Sequence, residues 1–119
     1  MDKRELLNRT KAFALRVVRA VQALPSDAVS GVLGRQLLRA ATSVGANYRA
    51  ACRAKSSADF LNKLKIVEEE CDESLYWMEL LVESGAIRVS RLKALMQEAD
   101  ELVAIFVSAI KSTRSLRAA

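Results

Sequence analysis

The residues with the most chemical potential form one acidic run, Glu68-Glu69-Glu70-Cys71-Asp72-Glu73. Grouped carboxylates can hold a divalent cation or work as a general acid and base. On a helix, however, successive residues point in different directions, so most of this run cannot converge. Only Glu69 with Glu73, at i and i+4, and Glu70 with Glu73, at i and i+3, are placed to meet. The chain also has no His. That removes the base of Ser-His-Asp and Cys-His nucleophile systems, His-bearing zinc sites and the Glu-x-x-His element of di-iron bundles. Cys52 and Cys71 are the only two cysteines, too few and too far apart for a disulfide scaffold. They are expected to be reduced, buried, small hydrophobes. No catalytic residue, metal site or cofactor is expected. The acidic run reads as a partner for Arg or Lys on another helix or another subunit.

The second set of chemically pointed residues is basic. Lys and Arg number 19 against 14 Asp and Glu, a net charge of +5. The charge is segregated: residues 1–57 hold 11 basic and 3 acidic groups, whereas residues 58–101 hold 5 basic and 11 acidic. Arg35, Arg39, Arg49 and Arg53 fall on one helical stripe without an interleaved acid, and Arg9 and Arg16 share one side of a preceding helix with Arg19 nearby. Guanidinium groups in line can follow a phosphate backbone by charge and by bidentate hydrogen bonds. The same stripe can instead pair with carboxylates of this or another chain, or simply be solvated. No aromatic residue interleaves with it, which argues against a base-stacking platform for single strands. The helices are too long for a helix-turn-helix module.

Behind these residues lies a helical period throughout. Leu6, Thr10, Phe13, Val17, Val21 and Leu24 recur at three- and four-residue steps. Asp2 with Glu5 has capping-box spacing, and Pro25 ends the first helix. Ser26 and Asp27 are good caps for the second, whose inner face is Leu33, Leu37, Ala40, Ala41, Val44, Tyr48 and Ala51. Small residues around Ala40, Ala41, Gly45 and Ala46 permit close approach of a neighbour. Asn47, at the edge of this face, is expected to bond a carboxylate of helix three. Ser56 and Asp59 cap that third helix, whose inner stripe reads Phe60, Leu64, Val67, Cys71, Leu75, Met78 and Val82, with Gly85 as a left-handed terminator. The fourth carries Leu92, Leu95, Ala99, Leu102, Val103, Phe106 and Ile110. The expectation is one all-α domain over residues 1–119, an antiparallel up-down-up-down four-helix bundle with helices at about 2–24, 29–54, 58–84 and 90–113. A chain of 119 residues allows one domain and little more. The charged start Met1-Asp2-Lys3-Arg4-Glu5 is unlike a signal peptide, no apolar run approaches a membrane span, and a cytoplasmic protein is expected.

Helix three has more apolar surface than its own core needs. Ile66, Trp77 and Leu80 lie away from the inner stripe, with Glu70 and Glu73 among them. Unless a flanking helix hides them, they form an oligomer interface.

The stretches from Gln36 to Tyr48, from Ala50 to Ser56, and from Lys63 to Trp77 together resemble a known family. It comprises four-helix-bundle proteins named for reading frames in intervening sequences of bacterial 23S rRNA genes. The likeness spans about residues 33 to 87. It implies a small, non-enzymatic bacterial protein with no catalytic residues to carry over. Related bundles form ring-shaped pentamers. A distant branch, the accessory variability proteins of diversity-generating retroelements, associates with a reverse transcriptase and nucleic acid through a basic surface. Where many relatives have a Glu-Gly pair shortly after the Asn, this chain has Arg49 to Ala51, like a subgroup with a longer second helix. The combined reading is an oligomeric bundle that binds nucleic acid, RNA above all, through Arg9, Arg16, Arg19, Arg35, Arg39, Arg49 and Arg53. The alternative is an oligomeric scaffold or adaptor for a protein partner with no nucleic-acid binding.

Overall fold

A computed structural model describes residues 1–118 of the chain. Four helices follow in order: α1 (Lys3–Gln22), α2 (Ala28–Cys52), α3 (Ser57–Glu83) and α4 (Val89–Ala118). Each begins or ends where local chemistry dictates. The Asp2 carboxylate accepts from the Glu5 N–H at 2.8 Å and caps α1. Asp27, not Ser26, caps α2, accepting from both the Ser30 N–H and the Ser30 hydroxyl. Those hydrogen bonds hold its carboxyl below the usual carboxylate range. Ser56 Oγ accepts from the Asp59 N–H, while the Asp59 carboxylate accepts from the Lys55 N–H and pairs with Lys63. After α3, Gly85 adopts φ +83°. Its N–H bonds the Val82 carbonyl and the Ala86 N–H bonds the Leu81 carbonyl, a Schellman motif.

α1 and α2 stop two residues short of expectation. Their last turns tighten: the Leu24 N–H reaches Val21 and the Ala54 N–H reaches Ala51, three residues back. α4 runs five residues beyond the expected 113, to Ala118. No Gly or Pro stops it, and Lys111, Arg114 and Arg117 suit the negative end of a helix dipole.

The helices pack in a cycle, α1 on α2, α2 on α3, α3 on α4, and most sparsely α4 on α1. The principal extents of the rod are 51 × 21 × 20 Å. Phe13, Leu37, Leu64, Met78, Leu92, Leu102 and Phe106 are fully buried along its axis. Tyr48 tilts against Phe106, with ring centroids 5.4 Å apart. Two buried hydroxyls are satisfied within their own helices, Thr10 on the Leu6 carbonyl and Ser74 on the Glu70 carbonyl.

The core stripe of α3 differs from the one expected. Leu61, Ser74 and Leu81 are buried, whereas Phe60, Leu75 and Val82 are only half-buried. From Ser74 onward the stripe is turned toward the edge that carries Glu70, whereas Leu61 lies on the other side of Leu64, so the buried positions drift around α3. Ser74 hides this rotation in the sequence, because a serine reads as polar until its hydroxyl is seen bonded to the preceding turn. Asn47 is also corrected: its amide donates to the Ser43 carbonyl of its own helix, not to an α3 carboxylate.

Candidate nucleic-acid interface

The four-arginine stripe of α2 is interrupted. Arg39 leans across the seam onto α3, where its guanidinium pairs with Glu70 at 3.2 Å and with Glu73. Gln36 accepts from its Nε. Arg9 is similarly committed. Its Nε and Nη2 donate to the two Glu98 carboxylate oxygens, each at 2.7 Å, and Nη2 also reaches Glu101 at 2.9 Å. The Glu98 hydrogen bonds raise its pKa, against the lowering that burial brings. This fork ties α1 to α4 across their sparse seam. Two of the seven expected phosphate contacts are therefore neutralised inside the chain. Sequence spacing placed them on basic stripes but could not show the acid facing them across the seam.

The other five, Arg16, Arg19, Arg35, Arg49 and Arg53, make no ion pair among the described residues. Arg49 and Arg53 line a groove of about 590 Å³ between α1 and α2. From the α1 side come Lys3 and Lys11. Sequence reasoning passed over these two lysines, although Lys3, Leu7, Lys11 and Ala14 recur at four-, four- and three-residue steps and so share one face. Small residues form the floor: a Cβ on Gly45 would sit 3.5 Å from the Thr10 backbone, so α1 and α2 approach closely there. The expectation of small residues at a close crossing holds at this point. No carboxylate and no aromatic ring lines the groove. Cys52 lines it half-buried, so only Cys71 fits the expectation of a buried cysteine.

Arg35 lies along α2, its Nη1 folded near Gly31. Fourteen residues separate it from Arg49, about 21 Å of helix, so it stands apart from the groove. Arg16 and Arg19 line a smaller hollow on the opposite side of α1, beside Arg91 of α4. The seven residues thus do not form one surface. Two are internal ties, two join two lysines in a groove, two face α4 and one stands apart.

Among the described residues, no three Cys, Asp or Glu side chains gather as metal ligands would. No helix among them is long and apolar enough to cross a membrane.

The profile of the family described as 23S rRNA-intervening sequence protein matches residues 2–108. The chain belongs to that family. A solved structure from Bacteroides thetaiotaomicron, described as a protein with unknown function from the S23 ribosomal protein family, is 35% identical to it. That likeness covers 89% of this chain and 98% of the other, with a TM-score of 0.83. No curated protein matches the chain. All seven arginines and both groove lysines lie inside the region matched to the 23S rRNA-intervening sequence protein family. The last basic turn of α4, from Lys111 onward, lies outside it.

The outer edge of α3 gives this family member a second surface. Trp77 is half-buried against the core, its indole N–H donating to Glu73 at 3.2 Å and its ring edge-on to Tyr76. Flanking packing therefore covers part of the surplus apolar face, and Glu70 and Glu73 are engaged by Arg39. Leu80 is half-buried, while Ile66 is 41% exposed. Val29, Val32, Gln36 and Arg39 follow one stripe of α2 at three- and four-residue steps. Arg39 reaches Glu70 and Glu73, so that stripe flanks the α3 edge. Val29, Val32 and Tyr76, all at least half exposed, add apolar positions along this edge, with the Arg39 tie lying between Val32 and Ile66.

Proposed function

We propose that this protein is a non-catalytic, cytoplasmic, nucleic-acid-binding bundle that holds structured RNA by its phosphate backbone. The observation that carries the reading is the α1–α2 groove. Lys3, Lys11, Arg49 and Arg53 converge on it from two helices, and no carboxylate lies among them. Four cations without an internal counterion repel one another, and a polyanion relieves that repulsion. Without an aromatic ring, the groove offers charge and hydrogen bonds but no stacking. That favours backbone contacts and little sequence preference. The choice of RNA belongs to this reading alone, because the family's description names 23S rRNA for the place of its genes and not for a ligand.

Copies associate, in this reading, through the outer α2–α3 edge around Val32, Ile66 and Tyr76, which leaves the α1–α2 groove open. A ring-shaped pentamer is the arrangement suggested by the resemblance to related bundles.

The test is fluorescence anisotropy of a labelled RNA hairpin with nuclease-treated protein. The double variant Arg49→Glu/Arg53→Glu is expected to bind at least about tenfold more weakly at low salt, with an unchanged far-UV spectrum. Unchanged affinity in that variant, or no affinity in the natural protein, overturns the reading and favours the protein scaffold.

A further inference from the structure

The α1–α4 seam is unequal along its length. At one level Arg9 is clasped by Glu98 and Glu101. Toward the start of α4, Arg16, Arg19 and Arg91 line a separate hollow of about 290 Å³, floored by small and aliphatic residues such as Ala20, Ala94 and Leu95. No carboxylate lines this hollow, and none of its three guanidinium groups has an ion-pair partner among the described residues. Helix stability does not account for Arg91 either, because the first turn of a helix disfavours a cation. The three like charges line one hollow with no carboxylate among its lining residues to offset them.

The shape of the hollow narrows the ligand. It lies just under the range typical of small-molecule clefts, about 300–1,000 Å³, and a duplex is too broad to enter it. A duplex backbone also spreads its charge, one phosphate at a time, along its length. Three guanidinium forks around one small space instead suit several phosphoryl oxyanions held together, each able to accept bidentate hydrogen bonds. The aliphatic floor offers no hydrogen-bonding group to read a base or sugar.

We propose that the Arg16–Arg19–Arg91 hollow binds a clustered polyphosphate group, supplied either as a free tripolyphosphate-type anion or as the 5′-triphosphate end of an RNA. The site is separate from the α1–α2 groove and stands independently of the reading given to that groove.

The experiment is calorimetric titration of the nuclease-treated, full-length protein with sodium tripolyphosphate at fixed ionic strength. One site per chain is expected. Arg91→Gln should weaken binding at least about tenfold, while Arg49→Glu/Arg53→Glu leaves most of it intact. Arg91 is exposed, so the variant is expected to fold, and its far-UV spectrum checks this. Two RNAs of one sequence, with a 5′-triphosphate or a 5′-hydroxyl, then separate the sources. A triphosphate preference that disappears in Arg91→Gln identifies the RNA end, whereas tripolyphosphate binding without such a preference identifies the free anion. Absence of tripolyphosphate binding, or equal loss in the Arg91 and groove variants, overturns the proposal, because either result leaves only diffuse attraction.

Discussion

Arg9 and Arg49 are both basic helix residues, yet each takes its role from what stands opposite. Arg9 meets Glu98 and Glu101 and becomes a tie between α1 and α4. Arg49 meets Lys3, Lys11 and Arg53 and remains available. Spacing along one helix reveals which residues share a stripe. It does not reveal which residue faces them at the same height on the next helix, and that is why Arg39 and Arg9 stood among the expected phosphate contacts. Cys71 shows the same dependence on surroundings. Burial, with nearby Glu68, Glu70, Glu98 and Asp72, pushes its thiol up to about 12 from an ordinary 9.0. The fold thus favours the neutral thiol, so the unfolded chain loses this proton first. The resulting stabilisation is fully present below about pH 9 and is lost as pH rises toward 12. Urea unfolding between pH 8 and 11 is expected to show a declining midpoint with a smaller decline in Cys71→Ala. Identical pH profiles for the two proteins contradict this.

At the scale of the element, start and stop signals were legible because they are local. Asp2, Asp27, Ser56 and Gly85 each act within a few residues of themselves, and each does so in the structure. Gly85 permits a sharp test. Its φ of +83° disfavours any side chain, and a Cβ there would meet nothing within 4 Å, so backbone strain alone is at issue. Gly85→Ala is expected to cost about 1–2 kcal/mol, read as a lower urea midpoint at unchanged slope. A neutral result removes the Schellman turn from the account. Less legible was the rotation of α3 about its axis. Hydrophobicity alone favoured Leu75 and Val82 over Ser74, but a serine bonded to the preceding turn can be buried at little cost. The groove lysines were missed for a related reason: Lys3 and Lys11 matter only once α1 is set beside the C-terminal half of α2.

At the scale of the whole molecule, segregated charge and a short-looped rod define what the bundle can present. The α1–α2 side is cationic, and the α2–α3 edge is apolar around the Arg39–Glu70–Glu73 tie. The bundle itself was legible because four amphipathic segments joined by short loops have few other ways to bury their stripes. Assembly is the less local property. If the α2–α3 edge is the association surface, Val32→Glu with Ile66→Glu lowers the mass found by sedimentation at micromolar concentration and leaves helicity unchanged. An identical mass for the natural and variant proteins rejects that surface. The central claim, that the α1–α2 groove holds RNA by its phosphates, is tested most directly by titrating an RNA hairpin across a series of salt concentrations. Each phosphate contact contributes about 0.7–0.9 to the slope of log affinity against log salt. The natural protein is expected to show a steep slope, and Arg49→Ala/Arg53→Ala one shallower by about 1.5. Equal slopes for the two proteins would contradict the claim.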